Sequence, residues 1–144
     1  ATSICDRLRA GVATASAEET RALAAAWAAT LPPDTTLALH GDLGVGKTTF
    51  VQGLAHGLGI RDAVTSPTFN IFTLHRGPVQ LLHLDAYRLD SARQVEDLLL
   101  SDFMISPWCL AVEWPEKIAD WLPSNTWHVE LGILADERHT LRLR

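Results

Sequence analysis

Apolar positions recur along the chain at two periods, and the places where the period changes mark its elements. In "SAEETRALAAAWAATLPPD" alanine and leucine fill the interior, Ser16 and Glu19 stand at capping-box spacing, and Pro32 and Pro33 close the run, so a helix is predicted. "TTLALH" is a short apolar strand leading into a glycine loop. "KTTFVQGLAHGLG" then takes up helical period until Gly57 and Gly59 end it. "NIFTLHR" and "VQLLHLDAY" alternate across Gly77 and Pro78, which predicts a hairpin. "SARQVEDLLLSDFM" repeats the capping spacing through Ser91 and Gln94 and predicts a helix with Val95, Leu98, Leu99 and Phe103 on one face. "WCLAVEW" predicts a strand, Pro115 opens a short helix "PEKIADWL", and "WHVELGIL", "ADER" and "HTLRLR" predict a closing antiparallel hairpin. Up to about residue 14 there is no clean period, and a strand or extended arm is expected there.

A strand, a glycine loop and a helix, followed by strands that return to the same sheet, predict one α/β domain over residues 1–144. The expected architecture is a P-loop NTPase-like three-layer sandwich with a mixed central sheet and a C-terminal antiparallel hairpin. Composition agrees with a globular protein: 47% hydrophobic and 20% charged residues, with no apolar run long enough to span a membrane. The first twenty residues lack the ordered regions of a signal peptide, so a cytoplasmic protein is expected. Cys5 and Cys109 lie far apart and suggest neither a metal site nor a disulfide, Cys109 being expected in the core. A net charge of −5 gives no general electrostatic footprint for nucleic acid, so any role on RNA requires a partner.

The chemistry concentrates in "HGDLGVGKTTF", residues 40–50. Gly41, four residues, Gly46, Lys47 and Thr48 fit G-x-x-x-x-G-K-[ST], in which backbone amides cradle nucleotide phosphates. Gly41, Gly44 and Gly46 allow backbone conformations that bring N–H groups onto one anion, at the positive end of the following helix. Lys47 is placed to reach the β and γ phosphates, Thr48 to ligate Mg²⁺, and Thr49 to reach the α phosphate.

Hydrolysis also requires acidic groups near the metal. Asp85 and Glu113 each end an apolar strand, where either can reach a metal or stand as an ordinary exposed carboxylate. "TSPTF", residues 65–69, offers the hydroxyls of Thr65, Ser66 and Thr68 as a phosphate-facing switch or forms a polar turn. Arg88 has the chemistry for an ion pair or a phosphate, and Trp114 for packing. His83 and Asp85 alternate on one strand and so share a face, but the six histidines lack the spacing of a zinc site. No guanine-reading N-K-x-D is present, so ATP is expected rather than GTP.

Taken in order, "SAEET", "GDLGVGKTTFVQGL", "SPTF", "HLDAYRL", "VEWPEK" and the final basic hairpin resemble the TsaE (YjeE) family, P-loop ATPases of bacterial tRNA threonylcarbamoyladenosine biosynthesis. The resemblance covers nearly the whole chain. It implies binding of ATP/ADP and Mg²⁺, weak ATP hydrolysis by the chain alone, and action with the TsaD and TsaB proteins, with tRNA met only through that complex. Hydrolysis in such a system resets the complex between turnovers of threonylcarbamoyl transfer to the adenosine beside the anticodon. By motif, the resemblance puts Leu43, Gly44, Val45, Gly46, Lys47, Thr48 and Thr49 on phosphate and Thr48 and Glu113 on Mg²⁺. It makes Asp85 the nearby acid required for activity, sets Trp114 beside the site, and has Ala17 and Glu137 flank the adenine. Val45 stands where the family often has alanine, its added bulk expected to face away from phosphate. Val95 and Leu99 depart from the family's acidic pattern on a partner-facing surface. Two other activities fit part of this pattern: a small-molecule kinase, although Arg61, Arg76, Arg88 and Arg93 form no lid cluster, and a nucleotide-dependent switch.

Overall fold

The computed structural model describes residues 3–42, 44–61, 64, 71–89 and 91–144. Its elements in chain order are α1 (Ile4–Ala10), β1 (Val12–Thr14), α2 (Ala17–Ala28), β2 (Thr35–His40), α3 (Lys47–Gly57), β3 (Phe72–His75), β4 (Gln80–Asp85), α4 (Ala92–Asp97), β5 (Trp108–Glu113), β6 (Trp127–Ile133) and β7 (His139–Leu143). Among the described residues the strands form one seven-stranded sheet in the order β1-β7-β6-β2-β5-β4-β3. β6, β2, β5 and β4 run parallel; β3 pairs antiparallel with β4 at one side, and at the other β7 pairs antiparallel with β6 and β1 antiparallel with β7. This is the mixed sheet and closing hairpin expected from the sequence.

Alternation along the central strands divides the interior in two. Leu37, Leu39, Leu81 and Ala111 face one way and pack under α2 and α3, against Trp27, Phe50 and Leu54. Leu82, Leu84, Leu110 and Val112 face the other way, against Val95, Leu100 and Ile118. Trp27, fully buried, meets the rings of Phe50 and Trp127 at 6.2 and 6.1 Å. Cys109 is buried in the first core, and burial pushes its thiol up to about 12.

Three segments differ from expectation: the helix expected over "PEKIADWL" is a 3-10 turn over Pro115–Ile118, and two others differ more. Residues 4–10 form a helix, capped by the Ser3 hydroxyl accepting from the Asp6 amide at 3.1 Å and ended by Gly11 at φ 93°. Fewer than two turns with Leu8 as the buried residue give no readable period. Among the described residues of that region only Val12–Thr14 form a strand, paired with β7. The run from Ser91 is not one helix: α4 ends at Asp97, Leu99 turns left-handed at φ 55°, and a 3-10 turn spans Leu100–Asp102. The turn carries Leu100 into the second core and leaves Leu99 58% exposed, so Leu99 does not share the face on which Val95 and Leu98 pack. Ser91 makes no side-chain cap there, whereas the Ser16 hydroxyl does cap α2 by accepting from Glu19 N at 3.1 Å.

α2 and α3 pack closely because α3 carries glycine at the contact. A Cβ on Gly53 would lie 2.5 Å from the Arg21 carbonyl oxygen, and one on Gly57 would press on the Ala25 backbone. Backbone at a helix contact cannot retreat cheaply. Gly57→Ala is therefore expected to cost about 1–3 kcal/mol, as an earlier urea midpoint at unchanged slope.

On the sheet face opposite Leu39, His40 Nε2 and His128 Nδ1 lie 2.8 Å apart. Burial first, and Arg144 next, lower the pKa of both; His128 lowers that of His40 further, against a partial pull from Glu116 and Glu130. Unfolded histidines protonate near 6.5, and these two protonate lower when folded, so the unfolded chain takes up more protons as pH falls through that value. Stability is then complete above this window and is lost on acidification. The melting temperature is expected to drop between about pH 7.5 and 5.5, and to drop less in His128→Phe; equal drops would refute the assignment.

Candidate phosphate and metal site

The four parallel strands end at one edge, where open α/β sheets receive ligands. The chain leaves β2 at His40 and turns through the glycine loop into α3. Gly41, Gly44 and Gly46 all have positive φ, 143°, 84° and 95°. A Cβ at Gly41 would also fall 2.5 Å from the Leu131 carbonyl oxygen. Glycine is thus required there by space as well as by conformation. Val45 turns inward, 7% exposed and part of the first core, away from the loop's open side as its departure from the family pattern implied.

α1 and α2 begin at serine hydroxyls that accept from the first turn, but α3 begins at left-handed Gly46 with no side-chain cap and no acid in its first turn. Among the described residues no side chain caps its initial N–H groups, which with its dipole suit an anion. Thr48 and Thr49 sit in this turn, both partly buried.

Lys47 is 5% exposed, unusual for an ammonium. Its Nζ donates to the Gly41 carbonyl at 2.7 Å and lies 3.9 Å from the centre of the Trp114 ring. Burial lowers its pKa, while Glu113, Glu116, Asp85 and Asp42 pull it back up. Desolvating a lone ammonium costs on the order of several kcal/mol, and a cation over an indole returns about 0.5–2 kcal/mol. The surrounding carboxylates make the burial tolerable.

Two of them belong to the sheet. Asp85 and Glu113 are direct partners in the β4–β5 register, each the last residue of its strand. Glu113 is buried; Asp85 is partly exposed, and its Oδ1 accepts from the Tyr87 amide at 3.0 Å. Backbone from Ala86 returns to the Glu113 carbonyl at 3.0 Å, tying the two strand ends together. Trp114 follows in a left-handed conformation, φ 57°, with its ring against Tyr87 at 5.2 Å and Lys47 on the other contact.

Ala17 begins α2, and Glu137 holds φ 71° in the β6–β7 turn; both are exposed. β1–β7 pairing, Thr14 with His139, brings the two segments to one side of the loop. His139 Nδ1 donates to the Val45 carbonyl at 2.9 Å and so fastens β7 to the loop. Leu43 and Thr68, with Thr65, Ser66, Pro67 and Phe69, lie outside the described residues. Arg88 is exposed.

Hydroxyl and carboxylate oxygens from Thr48, Glu113 and Asp85 are a hard donor set that suits Mg²⁺. Among the described residues no group of three or more His, Cys, Asp or Glu side chains could hold a metal alone. Mg²⁺ takes one or two carboxylates and completes its shell with phosphate and water. Four participants were not expected from the sequence: His83, His139, Tyr87 and the Gly41 carbonyl. Only His83 left a signal, its alternation with Asp85 on one strand.

Residues 14–140 match the model of the family described as "Threonylcarbamoyl adenosine biosynthesis protein TsaE". The chain is 38% identical over 129 residues to the tRNA threonylcarbamoyladenosine biosynthesis protein TsaE of Bacillus subtilis, covering 89% of this chain and 80% of that one. It is 39% identical over 106 residues to the protein of the same name from Treponema pallidum, covering 74% and 78%. The crystal structure of Bacillus subtilis YdiB superposes with a TM-score of 0.78 at 33% identity, covering 92% of this chain and 82% of that one. Among the described residues no helix is long and apolar enough to cross a membrane.

Proposed function

The chain belongs to the TsaE family, and on that premise we propose that residues 1–144 are a single P-loop domain that binds and hydrolyses ATP with Mg²⁺ in the cytoplasm, within tRNA threonylcarbamoyladenosine biosynthesis. The observation that carries this is the uncapped start of α3 with the buried Lys47 ammonium, facing Asp85 and Glu113 on adjacent strand ends.

In this reading Gly44, Val45 and Gly46, with Leu43, offer backbone amides to the phosphates. Lys47 exchanges the Gly41 carbonyl and the Trp114 ring for the β and γ phosphate oxygens. Thr49 takes the α phosphate, and Ala17 and Glu137 lie beside the adenine. Thr48 and Glu113 would hold Mg²⁺, with Asp85 next to them; the metal would neutralise charge developing on the transferred phosphoryl group. Thr68 would face the γ phosphate from the 65–69 segment. The relatives are named for tRNA threonylcarbamoyladenosine biosynthesis, which supports a role in that pathway; the family resemblance of the sequence makes TsaD and TsaB the partners that would accelerate hydrolysis and bring tRNA. Hydrolysis would reset that assembly between turnovers.

Steady-state ATP hydrolysis tests this, with the chain alone and then with TsaD and TsaB added: a slow rate that rises sharply is expected, and an unchanged rate would sink the partner assignment. Lys47→Ala should abolish ATP binding measurable by calorimetry, and undiminished affinity would remove the loop from the mechanism. Glu113→Ala and Asp85→Ala should each lower kcat by about a hundredfold or more with far smaller losses in binding, the mark of groups that act on the transition state.

A further inference from the structure

His83 is buried to 0% exposure in the middle of β4, two residues before Asp85 and on the same face. Its register partner on β5 is Ala111, whose small side chain leaves the imidazole room to lean along the strand toward Glu113, two residues on. His83 Nε2 and Glu113 Oε2 are 2.5 Å apart. With Glu113 ionised the ring nitrogen is the donor, as a carboxylate has no proton to give. The other ring nitrogen, Nδ1, is buried and has no hydrogen-bond partner among the described residues.

That unpartnered nitrogen shows what the residue is not for. The surrounding strand is leucine, and leucine at 83 would pack there with no polar atom stranded. The core gains nothing from an imidazole, and the one group that does is Glu113. Bonding through Oε2 fixes the plane of a carboxylate that otherwise turns about three torsions, and leaves Oε1 without a hydrogen bond among the described residues. Glu113 is also the carboxylate that acts most strongly on Lys47, so the carboxylate lies close to the ammonium.

We infer that His83 is a positioning residue: its Nε2–H holds Glu113 by one oxygen so that the other is presented to the divalent cation accompanying the nucleotide. This rests on the reading of Glu113 as a metal ligand given above. Hydrogen-bond partners of metal ligands govern metal affinity by about ten- to a hundredfold.

The test is Mn²⁺ binding to the ADP-saturated protein, with free Mn²⁺ read by electron paramagnetic resonance, beside ADP affinity in EDTA. His83→Leu is expected to weaken Mn²⁺ binding about ten- to a hundredfold while metal-free ADP affinity stays within about twofold. His83→Gln, whose amide NH₂ reaches the position of Nε2, should recover most of the Mn²⁺ affinity, and His83→Asn, one methylene shorter, should not. Wild-type Mn²⁺ affinity in His83→Leu would overturn the inference. So would equal weakening in the Gln and Asn variants, a comparison that decides the matter even where the leucine variant does not fold. Glu113→Gln runs in parallel. If it binds Mn²⁺ like wild type, or if the wild-type protein gains no Mn²⁺ site with ADP, the metal assignment itself has failed and His83 falls with it; an intact Glu113 effect with an indifferent His83→Leu sinks His83 alone.

Discussion

Register between parallel strands is the constraint from which the site follows. β5 lies between β2 and β4 with Glu113 opposite both Leu39 and Asp85. The ladder therefore ends two acids and the start of the glycine loop at one edge. A slip of one residue would turn Glu113 from the face of the first core to the other, and Asp85 would lose its partner. Such a slip is resisted by burial on both faces, since every apolar residue of β4 and β5 already belongs to one core or the other. The same hydrophobic alternation that builds the two cores thus aims the carboxylates.

The charge balance of the site is local rather than global. The chain as a whole is acidic, at −5, yet a single buried ammonium and an uncapped helix start face the strand-end carboxylates. In the structure Lys47 is already occupied, by a carbonyl and an aromatic face. Those contacts keep a desolvated cation from standing bare.

What could be seen from sequence follows from how local each signal is. The helix from Ser16, the loop and its helix, the two hairpins and the acid at each strand end depend on residues within a dozen positions, and all were legible. α1 was not, because seven residues with one buried leucine carry no period. The break at Leu99 was not, because it is set by Leu100 finding the second core, a tertiary contact. Lys47 and Glu113 could be named from their motifs. The contacts of His83 with Glu113, Tyr87 with Trp114 and His139 with Val45 could not, as each joins parts of the chain tens of residues apart. His83 alternating with Asp85 was visible, but alternation gives a face and not a partner.

The bond from His139 to the Val45 carbonyl makes the last hairpin a lever. The β6–β7 turn stands out from the sheet edge with Glu137 at its exposed tip, and the fulcrum is the strand pairing of β7 with β6 and β1. The short arm ends on the backbone of the glycine loop itself. Whatever grips the tip of that hairpin has a grip on the loop as well.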